Sequence, residues 1–328
     1  MTHFSKHGLY AALFASTLIM TGSPAHADSY PSKAISIVVG YPAGGSVDLT
    51  ARVLGEALSE RLGQSVVIEN QGGAGGTIGA SHVARAPADG YTLLVGSTNE
   101  MVIAGMINSA VRYDGQKDFT PVGMIASQPM LLAASTSSGV KTAADYVKTL
   151  RAGKPGDYTF GSSGIGTALH LAGEMINEST GTEALHVPYR GVSPLVTDLI
   201  SGQLNYGVLV LSSGLPQVKA GKVVALGVTE KTRSAAAPDI PALAETPGFE
   251  GVDINVWFGL YGPAGLPAEV TSKLRAALDD ILKSDQFREK LAVSGATLYA
   301  PGMDAAKFQQ SETEKYARLV KIAKIERQ

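Results

Sequence analysis

ISIVVGYPAGGSVDLTARVLGEALSERLGQSVVIEN, residues 35–70, decides the architecture. The β-branched apolar run from Ile35 to Val39 reads as a buried strand. Leu49, Val53, Leu54, Ala57, Leu58 and Leu62 then recur at the spacing of one helical face. Val66 to Ile68 returns to strand character, so strand, helix and strand follow within about 35 residues, the rhythm of an open parallel sheet. Another helical stretch follows the glycine cluster at 72–79, and Thr92 to Val95 predicts a further buried strand.

A second set of the same units begins after Pro121. Apolar runs at Met130 to Ala133 and Tyr158 to Phe160 precede a helix from about Thr167, with Ala168, Leu169, Ala172, Met175 and Ile176 on one face. Ala184 to Val187 is the next run. Ser193 as N-cap and Pro194 in the first helical position then predict a helix start. Runs at 204–211 and 223–228 follow. Pro238, Pro241 and Pro247 predict an extended surface connection over 233–249. After Val256 to Tyr261, Pro267 opens a helix, and helical character continues through Leu319 and Ile322. Each set of units carries a glycine- and serine-rich loop just before a helix. That predicts two similar α/β lobes, with the ligand crevice beyond the carboxyl ends of the strands.

The chain has 328 residues, 45% hydrophobic and 17% charged, which excludes disorder and a small stapled scaffold. Lys+Arg 27 against Asp+Glu 29 leaves a net charge of -2 and no basic balance for nucleic acid. Lys6, the apolar run from Leu9 to Met20 and Ala25-His26-Ala27 are the three parts of a cleavable signal peptide, with cleavage expected after Ala27. The apolar run is about a dozen residues, short of the roughly 20 that span a bilayer. Cysteine is absent, so neither disulfides nor a lipid-anchoring cysteine is available. A Gram-negative periplasm is the expected compartment.

Loop one, Gly40 to Asp48 (GYPAGGSVD), lies between the first strand and the first helix. Gly44 and Gly45 free backbone amides to point into open space, and Ser46 is the expected helix cap, beside a positive helix end suited to an anion. Loop two, Gly161 to Thr167 (GSSGIGT), has the same position before its helix, where Ser162, Ser163 and Thr167 add hydroxyls and Gly164 and Gly166 leave amides accessible. A carboxylate held this way needs no lysine, since charge-assisted hydrogen bonds contribute roughly 1.5–3 kcal/mol each.

Other chemistries fit less well. In QGGAGGTIGA a dinucleotide fingerprint on Gly73 and Gly75 fails at Ile78, and Gly153-Lys154 is followed by Pro155 rather than Ser or Thr. GSSGIG is not G-x-S-x-G, and His170 lies seven residues past Ser163 on a helix, poor geometry for a base. His170 and Glu174 share a helical face without a third metal ligand nearby. No catalytic residue, metal or cofactor is expected. Arg190 in HVPYRG either clamps a carboxylate or pairs with an acid of its own lobe, and the second reading is favoured. Trp257 is expected to pack where the chain recrosses between lobes.

The segments YPSKAISIVVGYPAGGSVDLTARVL, VVIENQGGAGGTIGASHVARAPADGYTLLVGS, DFTPVGMIA, YTFGSSGIGTALHLAGE, HVPYRGVSPLVTDLISGQ, VVALGVT and WFGLYGPAGLP carry a resemblance. In order and spacing they resemble the Bug/TctC family, periplasmic solute-binding receptors of tripartite tricarboxylate transporters. The resemblance implies a type II periplasmic-binding-protein fold, two doubly wound α/β lobes around a central cleft. Residues 28–125 and 254–328 would form one lobe and 126–253 the other. It implies a ligand-binding set of Tyr41, Ala43, Gly44, Gly45, Ser46 and Asp48 in loop one, and Ser162, Ser163, Gly164 and Thr167 in loop two. Ser97 and Thr98, with Asn99, and Tyr189, Arg190 and Gly191 correspond to the family's third and fourth loops. QLNYGVLVL departs from the family pattern, with Asn205 and Leu209 in place of two aspartates. Leu209 then suggests an apolar or aromatic distal part to the ligand and argues against amino dicarboxylates. The implied function is capture of a small di-, tri- or aromatic carboxylate by a monomer that delivers it to the transporter's membrane permease. The alternatives are a ligand receptor for a sensor kinase and, less favoured, a periplasmic hydrolase.

Overall fold

Ile35–Val39 forms β1, apolar along nearly its whole length because it has a strand on each side. Helix α1 (Ser46–Leu62), β2 (Val66–Asn70), α2 (Thr77–Ala84) and β3 (Thr92–Ser97) follow. β1 lies parallel between β2 and β3, with Ile37 opposite Ile68 on one side and Leu93 on the other. The strand–helix rhythm read from residues 35–70 is thus the first part of the sheet. The structure, a computed structural model, describes residues 30–327, and the chain from Pro31 onward forms a single unit. The expected signal peptide and its cleavage point after Ala27 lie outside the described residues.

After a π-helical turn at Asn99–Ile103 and the short helix α3 (Ala104–Ile107), the 17-residue strand β4 (Phe119–Ser135) begins. Next come α4 (Ala143–Ala152), β5 (Thr159–Ser162), α5 (Ala168–Thr180), β6 (Leu185–Pro188), α6 (Val192–Ser201), β7 (Tyr206–Val210), α7 (Leu211–Lys219) and β8 (Val223–Val228). β9 (Asn255–Pro263), α8 (Ala268–Leu282), α9 (Asp285–Ala292), β10 (Thr297–Leu298) and α10 (Ala305–Ile322) complete the described chain. The strand order is β2-β1-β3-β9-β4-β7-β5-β6, with β8 and β10 also paired to β4. The fold is mixed α/β. Parallel pairs within β1–β3 and β5–β7 are joined through antiparallel β9 and β4.

β4 holds the sheet together. Phe119 to Pro129 pairs with β9, whereas Met130 to Ser135 pairs with β7 and β8. The sequence suggested a new set of units after Pro121 with its own strand at 130–133. The structure instead runs both through one strand, and the ladder shifts register between Pro121 and Gly123 and again between Met124 and Ala126. Proline has no N–H to give to a ladder, so an irregularity beside Pro121 is the expected accommodation. The chain returns to the first half at Thr229 and Ile254. Thr229 is fully buried, accepts from Met130 N at 3.1 Å and donates to Ile254 O at 2.6 Å, so one hydroxyl ties the two crossing segments together.

Two local expectations are corrected. Helix α6 starts at Val192, with Gly191 at φ 105° as its N-cap, not at Ser193. The left-handed turn is made by the glycine, and Pro194 sits in the first turn, where its missing N–H is still not needed. The proline-rich stretch 233–249 is not simply a surface connection. Ile240, Ala242, Leu243 and Phe249 are buried, and Ala242 bridges to Val228. Arg233 closes this segment on itself with two hydrogen bonds to Glu245, at 2.8 and 2.6 Å.

Candidate ligand-binding site

Loop one turns at Gly44, whose φ of 89° favours glycine and around which a Cβ would meet nothing within 4 Å. Ala43, Gly44 and Gly45 are exposed. Contrary to the expectation from the sequence, Ser46 does not cap α1: it is the first helical residue, and Gly45 is an N-cap without a side-chain hydrogen bond. Asp48, in the first turn, holds the preceding loop instead of the helix amides. Its Oδ2 accepts from Gly44 N at 2.8 Å and from Arg52 Nε at 2.9 Å, and its Oδ1 accepts from Asn70 Nδ2 at 2.8 Å. Burial pushes this carboxyl up, but Arg52, the Gly44 amide and Asn70 outweigh it and hold it below the ordinary value. Asp48, 3% exposed, therefore braces the loop from behind. The Gly44 amide is committed to it. The amides of Gly45, Ser46 and Val47 have no acceptor among the described residues, which leaves an uncapped positive helix end.

Tyr41 also points backward. Its hydroxyl lies 2.7 Å from Glu100 Oε2, 3.0 Å from Gly75 O and 3.2 Å from Ser97 Oγ, and it accepts from Asn99 Nδ2 at 3.3 Å. Ser97 and Thr98, expected to line the cleft, are buried. Ser97 Oγ donates to Glu100, and Thr98 Oγ1 accepts from Trp257 N at 3.0 Å, because the end of β3 is covered by β9. Trp257 is fully buried, packed against Phe308, with its indole N–H on Glu312. Glu100 escaped the sequence reading. An acid standing alone in the run NEMVIAGMI was the available signal.

Loop two divides in the same way. Ser162 is fully buried, with its Oγ 2.7 Å from His186 Nε2 and 3.0 Å from Gly164 O. Thr167 caps α5, accepting from His170 N at 3.4 Å and donating to Gly164 O at 2.9 Å, so its hydroxyl proton is spent within the loop. Ser163 has no side-chain bond among the described residues, and its carbonyl accepts from Gly191 N. Asn99 joins the two loops: Ala168 N, the first helical amide of α5, donates to Asn99 Oδ1 at 2.9 Å, while the Asn99 amide group holds Tyr41.

Behind loop two, His170 and His186 stack at 3.7 Å with 11° between their planes. Gly166 N donates to His170 Nδ1 at 3.0 Å, which places the His170 proton on Nε2, facing Glu174 Oε1 at 3.5 Å. His186 Nε2 and Ser162 Oγ share their 2.7 Å hydrogen bond in a direction that follows the imidazole tautomer. Burial and the neighbouring His170 push His186 down to about 3. The unfolded chain binds that proton near 6.5, so stability is complete above about pH 6.5 and drains away as the pH falls toward 3. Thermal melts from pH 7 to 4 should show a fall in Tm that His186→Gln makes several degrees shallower. Parallel curves for the two proteins would refute this account of the imidazole.

The fourth loop is also split. Tyr189 sends its hydroxyl to Asp198 at 2.8 Å, and burial together with that acid pushes it up to about 12. Arg190 is exposed and, contrary to the favoured expectation, in no ion pair among the described residues, and Asp198 of the following helix α6 accepts from Tyr189. Gly191 opens onto space. Leu209 is misplaced by the sequence reading: it is fully buried in the core of the second half, packed with Leu131, Leu195 and Leu199, because its register opposite Leu131 turns it under the sheet. No group of three or more metal-ligating side chains occurs among the described residues.

Residues 50–325 match the sequence profile of the tripartite tricarboxylate transporter family receptor, TctC. The chain belongs to this family. The receptor is 31% identical to protein BugT of Bordetella pertussis over 301 residues, 91% of this chain and 92% of BugT. Among solved structures it is similar to R. palustris Rpa4515 with adipate, at 33% identity and TM-score 0.84, covering 90% of this chain and 99% of that one. It is also similar to MatC from Rhodopseudomonas palustris with bound malate, at 29% identity and TM-score 0.79, covering 89% and 100%. The receptor is thus a Bug/TctC-type solute-binding protein with the fold of periplasmic binding proteins. Of the residues expected at the site, Ala43, Gly44, Gly45 and Arg190 are exposed and Ser46, Ser163, Gly164 and Gly191 are half-buried.

Proposed function

We propose that the receptor captures a small organic dicarboxylate in the periplasm and hands it to the permease of a tripartite tricarboxylate transporter, with no covalent step. The observation that carries this reading is the uncapped start of α1, where the Gly45, Ser46 and Val47 amides are free, tied through Asn99 to the start of α5. Charge-assisted bonds from such amides and from Ser163 would hold one carboxylate. The sheet halves on either side of the 128–130 and 229–254 crossings would be the two lobes, closing to bury the solute. Adipate and malate, seen on the two solved relatives, are the model solutes. The hydrolase alternative loses support because Ser162, the serine bonded to an imidazole, is fully buried, and the more accessible Ser163 has no imidazole partner among the described residues.

Arg190 is assigned to the second carboxylate. A thermal-shift panel of adipate, malate, succinate, citrate and benzoate tests both points, since ligand at a hundred times Kd adds about 2.7 kcal/mol. Arg190→Ala should weaken dicarboxylates about tenfold or more, the worth of a charge-assisted bond, and leave benzoate unchanged. If no acid of the panel raises Tm, the carboxylate reading fails. Equal losses for mono- and dicarboxylates would remove only the role of Arg190.

A further inference from the structure

The hydrogen-bond chain behind loop one ends in an acid that gripping a carboxylate does not require. Glu100 is 1% exposed. Its Oε1 accepts from Ser97 N at 2.6 Å, and its Oε2 accepts from Ser97 Oγ at 2.6 Å and Tyr41 OH at 2.7 Å. No lysine or arginine among the described residues offsets it. The titratable groups that face it are Tyr41 from loop one, Tyr113, whose hydroxyl holds the Glu100 carbonyl, and Tyr261 from β9, all uncharged. Gln309 of α10 spends its amide on the carbonyls of Met101 and Gly115. Before α2, Gly76 packs so closely that a Cβ there would stand 2.9 Å from Oε2. Arg52 of α1 is committed to Asp48 and Asn70.

From this carboxyl one chain of bonds runs through Tyr41 into loop one, and through Tyr41 and Asn99 to the first amide of α5. We propose that Glu100 takes up a proton from water when a carboxylate binds at the two loops, so that the receptor captures its solute together with a proton and grips it more tightly as the pH falls. The proposal rests on the carboxylate-binding reading. A bound carboxylate and the buried Glu100 carboxylate repel each other, and Glu100, the weaker acid of the two because burial disfavours its charge, is the one that takes up the proton. The structure accommodates both states. When Glu100 is ionised, Tyr41 donates to it. When Glu100 is protonated, it donates to the Tyr41 oxygen, and the phenol proton turns to Gly75 O, already 3.0 Å away. Burial pushes Glu100 up to about 7 in the absence of solute. Proton uptake therefore takes place above neutrality, where an anion shifts the group further upward.

The test is calorimetric titration of adipate, or of the panel acid with the largest thermal shift, between about pH 6 and 9 in buffers of low and high ionisation enthalpy. Binding heats should depend on the buffer, reporting uptake of up to about one proton, and Kd should rise above pH 7 by up to about tenfold per unit. Glu100→Gln should abolish both dependences. Buffer-independent heats in the wild type, or a Glu100→Gln protein that keeps the wild-type slope, would overturn the proposal. Should that variant not fold, the Glu100 carboxyl carbon can be titrated by NMR in the wild type, where a midpoint unmoved by saturating ligand also overturns it. If no panel acid binds, the carboxylate reading falls and takes this inference with it. Binding without proton uptake leaves that reading standing and removes only the inference.

Discussion

Gly166→Ala should weaken solute binding by about 10- to 100-fold while lowering the ligand-free Tm by only a few degrees. Gly166 has a φ of 71°, where an L side chain costs roughly 1–2 kcal/mol. A Cβ there would also run into Ile107 Cδ1. Ile107 belongs to α3, after β3 in the first half of the sheet, and Gly166 to the loop after β5 in the second. On the proposed reading of two closing lobes, this contact lies between them, and the collision should oppose closure more than folding. Ile107→Ala in the same chain should restore most of the affinity, leaving only the backbone strain. Calorimetry on the single and double variants decides the matter. A Gly166→Ala protein with wild-type affinity, or a double variant no better than the single, would separate closure from this contact.

Asp48→Ala should cost about 2–3 kcal/mol of stability and about tenfold in affinity. The substitution leaves the Gly44 amide, Arg52 and Asn70 without their shared acceptor. It also frees loop one, so the Gly45–Val47 amides must be ordered at the moment of binding. The unpaired Arg52 would attract an anion, but it is half exposed and its field is screened by salt, so the loss of order is the larger effect. Urea unfolding gives the first quantity and calorimetry the second. Asp48→Asn keeps the shape and one acceptor and should fall between the two. An Asp48→Ala receptor with normal affinity would show that the brace does not order the amides.

Which loop atoms face a solute was only partly legible in the sequence. Ser162 and Ser163 are adjacent and look alike, yet one is locked against His186 and the other is not. His186 arrives from β6, and nothing local to GSSGIG marks which serine it will meet. Leu209 was read by its place in a family pattern, whereas its direction follows from the register of β7 against β4. Asp48 looked like part of a binding loop because it follows the glycines. That it turns back depends on Asn70, contributed by β2.

The amino-acid sequence by itself determined the alternation of strands and helices and the two glycine-rich turns before α1 and α5, because burial periodicity and turn chemistry are properties of neighbouring residues, and the order and spacing of its motifs carried the resemblance to the family. Only the tertiary structure decided that β4 would carry the sheet from one half to the other, that Tyr41, Asp48, Ser162 and Thr167 would spend their side chains within and behind the loops, and that Glu100 would lie behind both. Those outcomes depend on side chains meeting across 20 to 160 positions of chain, and contacts at that separation are set by packing rather than by local preference.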